Sequence, residues 1–190
     1  MIKTAIVKFP SDYSYSSLNN LKGYILFTQN ENCNVIVKVE LMCLPPGKHG
    51  FHIHEYGIKQ EHIDDLKKGK SIKNLCNTLG GHFNPFGTHH GSYKYGTERH
   101  AGDLINNLEI DNHGSINITF MDPLISLYKE NDNCIIGKSI VIHESPDDEG
   151  LPGLKAIIEN RELNKNEEES LKTGNAGKRI ACGNIKLLNK

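Results

Sequence analysis

Apolar residues at every second position, in short runs, constrain most strongly how this 190-residue chain can fold. Val35, Val37 and Val39 alternate with residues that include Lys38 and Glu40, a pattern typical of a half-buried β-strand. Comparable runs lie near residues 2–9, 21–29, 48–56, 103–110, 116–120, 135–143 and 179–188. Short strands separated by turns rich in Gly, Asn and Asp predict an all-β sandwich or barrel, as one domain over residues 1–190.

Two stretches are too long for hairpin turns. Residues 57–102 and 144–178 are polar and rich in glycine, and loops of such length in a small domain are usually functional or disordered. Within them, residues 61–70 and 155–166 are each predicted to form a short helix.

The composition limits which partners the protein can bind and which cellular compartment it occupies. A formal net charge of −1 argues against nucleic acid or an acidic membrane surface as the main partner. Residues 1–10 lack the apolar region of a signal peptide, so we expect a cytoplasmic protein. Abundant Asn, Ile and Lys are typical of AT-rich genomes, including those of large DNA viruses, for which the compartment would be the host cytoplasm.

Five cysteines are spread over the chain without a CxxC pair, which argues against a cysteine-based zinc site. They lie at positions 33, 43, 76, 134 and 182. In a cytosolic chain, reduced thiols buried as small apolar groups are the default expectation.

Ten residues are histidine, the side chain that proteins use most often as a metal ligand. His52 and His54 lie two residues apart in a predicted strand, so both side chains point to the same face of it. Because a strand is rigid, the two could bind one metal ion together. The alternative for such a pair is two ordinary surface histidines.

A second group lies in the first long loop. It comprises His82, His90, His100 and Asp103. Three nitrogens and one oxygen offer a complete tetrahedral set for zinc, and the alternative is a polar loop with scattered histidines.

His143 ends the apolar run at 140–142. A single histidine at the end of a strand is more often structural than a ligand. His143 could, however, complete a metal-binding group with His52, His54 and a histidine shared with the zinc set. Because imidazole suits copper and zinc and an added carboxylate suits zinc, two different metals are reasonable.

Five segments resemble the eukaryotic copper/zinc superoxide dismutases, in that family's order and across almost the whole chain. They are HGFHIHEYG (49–57), GGHFNP (80–85), ERHAGDL (98–104), CIIGKSIVIHE (134–144) and KTGNAGKRIACG (172–183). The resemblance implies an eight-stranded Greek-key β-sandwich or barrel with two long functional loops. It also implies an enzyme that uses copper and zinc to disproportionate superoxide to oxygen and hydrogen peroxide.

The resemblance assigns a role to each candidate metal ligand. Copper would be held by His52, His54, His82 and His143. Zinc would be held by His82, His90, His100 and Asp103. His82 would therefore bridge the two metals. Asp147 would link a copper histidine, His52, to a zinc histidine, His90, and fix both rings.

Further roles concern access to the copper site. Arg179 would lie at the mouth of the channel, where its fixed positive charge attracts and orients superoxide. The channel would be shaped by Glu168, Glu169, Lys172 and Thr173. An intrasubunit disulfide would join Cys76 to Cys182.

The chain departs from the family's pattern in its loop lengths. The interval from His90 to His100 is one residue longer than usual, so the loop must bulge near residues 93–96, and His89 offers a competing ligand. Insertions of about 13 residues each, which cost little closure entropy in loops, lie between residues 57 and 76 and between residues 153 and 167.

The family pairs its subunits through apolar residues, so the resemblance implies a homodimer. The matching positions are Tyr56, Gly57, Ile136, Gly137 and Leu187. The first insertion begins beside this patch. Its apolar residues, Ile58, Ile63 and Leu66, could extend the subunit contact, whereas its charged residues, Asp64, Asp65, Lys67 and Lys68, could keep that contact hydrated. We expect the contact to be retained, with the inserted segment at its rim.

Lys178 and Ile180 flank Arg179 where chaperone-dependent members often carry proline, which favours copper loading without a copper chaperone. The competing hypothesis is a non-catalytic dismutase-like domain, such as the central domain of a copper chaperone, or a zinc-stabilised binding module. Such domains typically lose ligands or the channel arginine. This chain keeps all seven ligand residues and Arg179, and it has no CxC motif.

Overall fold

Two five-stranded antiparallel sheets form the framework of the computed structural model, which describes residues 2–18, 20–31, 33–70, 72, 74–96 and 98–188. The strands are β1 Lys3–Phe9, β2 Ser14–Ser16, β3 Lys22–Gln29, β4 Val35–Met42, β5 Gly47–His54, β6 Asn107–Ile110, β7 Ser115–Asp122, β8 Ser139–His143, β9 Arg179–Asn184 and β10 Lys186–Leu187. The helices are α1 Gln60–Lys67, α2 Leu151–Ile158 and α3 Lys165–Thr173, with 3-10 helices at Leu75–Leu79 and Ala101–Asp103. None of the helices in these ranges is long and apolar enough to cross a membrane.

The core lies between the two sheets. The first sheet has the order β10-β1-β3-β4-β7 and the second the order β2-β9-β8-β5-β6. Val35, Val37 and Val39 on β4 are fully buried, whereas Ile36 between them is half exposed. They pack with residues of the second sheet that include Phe51. The sandwich predicted from the period-two pattern is thus confirmed.

Three strands differ from the predicted runs. The run predicted at 135–143 becomes a strand, β8, only at Ser139, after a turn in which the Lys138 N–H donates to the Ile135 carbonyl. The last run divides into β9 and β10 at Ile185, because the chain there passes from the second sheet, where β9 pairs with β8, to the first, where β10 pairs with β1. The run predicted from residue 103 becomes a strand only at Asn107, since a 3-10 helix occupies Ala101–Asp103. The short strand β2 was not predicted.

The predicted bounds of the second loop's helix, residues 155–166, are wrong. The segment contains the end of α2, a turn and the start of α3. Asn160 adopts a left-handed φ of 51° just after α2. The Asn164 side chain then accepts hydrogen bonds from the N–H groups of Asn166 and Glu167, at 2.9 and 3.1 Å, and starts α3. α1, in contrast, overlaps the helix predicted at 61–70.

A second apolar cluster lies beside the sandwich core and encloses the Cys76–Cys182 disulfide. Its buried members are Ile58, Ile63, Leu75, Cys76, Leu79, Val141 and Cys182. The disulfide joins residues 106 apart in sequence, a separation for which chain-entropy estimates give about 4–5 kcal/mol of stabilisation. Ile58 and Ile63 are buried within their own chain, so their side chains do not extend a subunit contact, and the place of the inserted segment at the rim of a dimer stays a prediction.

The three remaining cysteines are not buried as expected. Cys33 and Cys43 are exposed, and Cys134 is half-buried. Cys43 follows the end of β4 with a left-handed φ of 67°, so the chain turns away from the sheet at this residue and carries its side chain out of the core.

Candidate metal centre

Two adjacent strands and one loop bring four histidines together. His52 and His54 share a face of β5, which pairs with β8 so that His52 lies opposite Val141. β8 ends at His143, and His82 in the first long loop forms an isolated β-bridge with His54. All four side chains are buried, with candidate ligand atoms within 4.8 Å of one another. We call these residues the four-histidine group.

Each ring of this group is oriented through one nitrogen. His54 Nδ1 donates to the carbonyl oxygen of Gly80 at 3.0 Å, and His143 Nδ1 donates to that of Gly177 at 3.1 Å. His52 Nε2 contacts Asp147 Oδ2 at 2.5 Å, and His82 Nδ1 contacts Asp103 Oδ1 at 2.8 Å. The protein thereby sets the orientation of every ring, as second partners of ligand histidines do.

Among the residues that the structure describes, the other nitrogen of each ring is buried without a hydrogen-bond partner. These atoms are His52 Nδ1, His54 Nε2, His82 Nε2 and His143 Nε2. Buried polar atoms in native proteins are nearly always hydrogen-bonded, so four unpartnered nitrogens close together fit a metal cation as their common partner. A set made only of imidazoles suits copper.

Burial keeps these imidazoles neutral, the form in which they can bind a metal. It lowers the pKa of His143 to about 3 and holds those of His52 and His54 well below the usual range. The neighbouring histidines act in the same direction, since a charge on one ring disfavours a charge on the next.

The second group converges on a single carboxylate. Asp103 Oδ1 lies 2.8 Å from His82 Nδ1, 2.9 Å from His90 Nδ1 and 3.1 Å from His100 Nδ1. Although burial opposes its ionisation, the imidazole contacts hold the pKa of Asp103 well below its usual range. Three nitrogens around one anionic oxygen are the donor set of a tetrahedral zinc site. We call these residues the His3Asp group.

His82 belongs to both groups. Its Nδ1 faces the His3Asp group, and its unpartnered Nε2 faces the four-histidine group. One imidazole ring therefore joins the two candidate sites, as the resemblance implies for a bridging ligand.

Asp147 joins the groups a second time. Its Oδ2 contacts His52 Nε2 at 2.5 Å, and its Oδ1 contacts His90 Nε2 at 2.9 Å. Gly174 adopts a left-handed φ of 66° beside this carboxylate, and a Cβ there would collide with Asp147 and lie 2.5 Å from His90 Nε2. Only glycine fits the contact.

An open pocket of about 310 Å³ leads to the four-histidine group. It is lined by His54, His82, His143, Glu169, Thr173, Asn175, Ala176, Gly177 and Arg179. Arg179 donates to the carbonyl oxygens of Cys76 and Gly80, both at 2.8 Å. The same Gly80 oxygen accepts from His54, so one carbonyl positions both the arginine and a histidine.

α3 supplies one wall of the pocket, and only two of its four predicted residues line it. Glu169 and Thr173 lie one helical turn apart on the lining face, with Thr173 Oγ1 donating to Glu169 Oε1 at 2.7 Å. Glu168 and Lys172 each precede one of them, so the helical rotation turns them to solvent, where both are exposed.

The second insertion packs against this wall. Gly153 of α2 lies so close to α3 that a Cβ would collide with the Leu171 side chain. Arg161 donates to both carboxylate oxygens of Glu167, at 2.8 and 2.5 Å. The Leu171 carbonyl accepts from the His90 N–H at 2.8 Å, which fastens α3 to the His3Asp group.

His89 does not compete as a ligand. It is exposed and belongs to neither group, while the His90 side chain beside it is fully buried. The extra residue of the loop is taken up in a turn at residues 93–96, in which the Gly96 N–H donates to the Tyr93 carbonyl.

Sequence reasoning missed several residues that orient the site. Gly80 and Gly177 act through carbonyl oxygens, and His49 contacts the His143 carbonyl at 2.8 Å and the Pro45 carbonyl at 2.9 Å. Asn175 lines the pocket and donates to Asp148 at 2.7 Å. The only signal for them was their place inside the segments that resemble the family.

Comparison with known proteins assigns the fold and the site to one family. The family model described as copper/zinc superoxide dismutase (SODC) matches residues 21–185. An extracellular superoxide dismutase (Cu-Zn) of Drosophila melanogaster is 42% identical over 171 residues, which cover 90% of this chain and 78% of that protein. A superoxide dismutase (Cu-Zn) of Cryptococcus neoformans is 36% identical over 187 residues, 97% of each chain.

A solved structure agrees with these sequence relatives. The crystal structure of the clock protein EA4 matches 97% of this chain and 94% of its own, with a TM-score of 0.71 and 33% identity. Because the family model covers most of the residues and the two relatives match 90% and 97% of this chain, the chain belongs to the copper/zinc superoxide dismutase family.

Proposed function

We propose that this protein disproportionates superoxide, with copper held by the four-histidine group and zinc by the His3Asp group. The observation that carries the proposal is a set of four unpartnered buried nitrogens at the base of an open pocket beside a fixed arginine. When bound, copper supplies one-electron exchange in both directions, whereas zinc, which has no accessible redox change, contributes charge and structure.

Arg179 selects and orients the substrate in this proposal. Its guanidinium is fixed by two backbone carbonyls, and it shares the pocket with three of the four histidines. A planar cation with a fixed direction attracts a small anion and holds it in one pose. Glu169 and Thr173 line the wall of the pocket that α3 supplies.

His82 donates a proton to the substrate in this proposal. Two superoxide ions need two protons to give one oxygen molecule and one hydrogen peroxide. His82 Nε2 faces the four-histidine group without a hydrogen-bond partner, while Nδ1 is engaged by Asp103. Because one lone pair cannot bind copper and a proton together, His82 Nε2 would hold a proton next to the substrate only while it is released from copper, and water would supply the second proton.

Reconstitution tests the activity directly. We expect protein loaded with copper and zinc to consume superoxide catalytically, and protein loaded with zinc alone to be inactive, because only copper cycles between two oxidation states. Superoxide decay after pulse radiolysis measures both. Equal rates for the two preparations would leave the non-catalytic, dismutase-like domain as the better description.

We further propose that the protein is a homodimer built on the apolar patch at Tyr56, Gly57, Ile136, Gly137 and Leu187. Tyr56 is 54% exposed and Leu187 is 37% exposed, so this surface is open to a partner. Since Ile58 and Ile63 pack inside their own chain, the first insertion leaves the patch uncovered by these two side chains.

Sedimentation tests the dimer. We expect about twice the chain mass of 21.2 kDa at micromolar concentration. Leu187→Lys should shift the protein toward the monomer by placing a charge in the contact. Ile158→Lys, at a 75% exposed position on the second insertion, should not. A wild-type protein that sediments as a monomer would contradict the proposal.

A cytoplasmic location is supported by the exposed free thiols of Cys33 and Cys43, which are typical of reducing compartments. The flanking residues Lys178 and Ile180, in place of proline, support copper loading without a chaperone.

A further inference from the structure

The first insertion covers the disulfide. We define the cover segment as residues 58–70 together with Ile72. Ile58 and Ile63 are 4% and 3% exposed, and they belong to the apolar cluster that contains Cys76 and Cys182, themselves 1% and 0% exposed. Leu66 and Ile72 pack against the same cluster.

Among the residues that the structure describes, the cover segment is hydrogen-bonded to the body of the protein at Ile58, and Lys67 adds a long ion pair to Asp12 at 4.0 Å. The Asn184 side chain accepts from the Ile58 N–H at 2.6 Å and donates to the Ile58 carbonyl at 3.0 Å. Beyond Ile58, the polar contacts of α1 are mostly within the segment, such as Lys70 with Asp65 at 2.8 Å, and lie on its exposed side. The segment therefore holds to the body mainly through apolar contacts, which a local opening can break together.

The metal groups do not depend on these contacts. Within the described ranges, no hydrogen bond joins the cover segment to a histidine of either group. The cover segment can thus lift while β5, β8 and the metal-binding side chains stay in place.

We propose that the cover segment controls access of thiol reductants to the Cys76–Cys182 disulfide. With α1 seated, both sulfurs are closed off. With α1 lifted, a thiolate of a dithiol reductant attacks one sulfur and breaks the S–S bond, giving a mixed disulfide and one cysteine thiolate. The second thiol of the reductant then displaces the other cysteine. Two electrons pass to the protein, both cysteines take up protons, and the reductant leaves as a cyclic disulfide.

A reductant could also approach the two sulfur atoms from another side. A groove of about 550 Å³ on the Arg179 side is lined by residues that include Tyr15, Cys76, Asn77 and Ile180. Cys76 is nevertheless only 1% exposed, and its carbonyl is engaged by Arg179. Entry through this groove would make reduction independent of the cover segment.

Reduction of the copper- and zinc-loaded protein by dithiothreitol tests the proposal. Free thiols are alkylated at timed intervals and counted by mass spectrometry. Ile63→Ala should raise the rate constant of reduction about tenfold or more, since removing buried methyl groups weakens local closure. Leu66→Ala, at a half-buried position of the same helix, should act in the same direction with a smaller effect.

Val37→Ala is the matched control. Val37 is fully buried in the sandwich core, away from the disulfide cluster, so its truncation destabilises the protein without loosening the cover segment. The reduction rate constants of the three variants are compared at urea concentrations that give each variant the same free energy of unfolding. Equal acceleration by Val37→Ala would show that reduction follows global unfolding, and no acceleration by Ile63→Ala and Leu66→Ala would show entry through the groove. Either result overturns the proposal.

Discussion

Replacing Arg179 by Gln lowers kcat/KM for superoxide by about tenfold or more, in line with the usual range of electrostatic steering, and leaves the copper and zinc contents unchanged. The reason is geometric as well as electrostatic. Arg179 lines the pocket and contacts two backbone carbonyls, but it belongs to neither metal-binding group. Pulse radiolysis measures the rate, and elemental analysis measures the metals.

Lys178→Gln provides the control for this variant. It removes the same charge from the adjacent residue, whose side chain is 84% exposed and lies outside the pocket. The wild-type rate should fall as ionic strength rises. Arg179→Gln should show a weaker dependence on ionic strength, because the positive charge that attracts superoxide is gone. An unchanged salt dependence in Arg179→Gln would show that another group guides the anion.

Replacing Asp147 by Asn weakens metal binding by about 10- to 100-fold, the usual cost of losing an outer partner of ligand histidines. The carboxylate accepts from His52 Nε2 and His90 Nε2 at the same time. The Asn amide has one acceptor oxygen, so one of the two rings must lose its partner or meet an N–H group. Competition with a chromogenic chelator gives the affinities for copper and zinc.

Asp148→Asn is the control for this second variant. Its carboxylate accepts from Ser170 and Asn175, at 2.8 and 2.7 Å, and it makes no described contact with a histidine. The same charge is removed at the next residue, so a comparable loss of affinity in Asp148→Asn would assign the effect to net charge and contradict the bridging role.

The features that could be predicted from sequence have local patterns. The alternation at Val35, Val37 and Val39 fixes which face of β4 is buried. The spacing of His52 and His54 fixes a shared face of β5. In both cases the geometry follows from the two-residue period of a strand, whatever the rest of the chain does.

Features that depend on contacts between distant residues could not be predicted from local sequence patterns. Asp147 accepts from a histidine 95 residues away, and only the resemblance to the family pointed to it. Gly80 acts through a carbonyl oxygen, which every residue possesses, so its side chain carries no signal. The apolar residues Ile58 and Ile63 indicated a buried face but not its partner, which is the disulfide of their own chain.

The topology of the two sheets also orders the assembly of the molecule. β3 pairs with β1 and β4, which are close to it in sequence, whereas β1 also pairs with β10, β4 pairs with β7, and the second sheet joins Tyr15 to Cys182 and His52 to Val141. Pairing distant segments must first overcome the entropy of closing long loops, so the local hairpins form earlier. The histidines meet only when β5 has paired with β8 and the loop that carries His82 has joined β5 at His54. A newly synthesised chain therefore forms the β1-β3-β4 part of its apolar framework before it has any place to hold a metal.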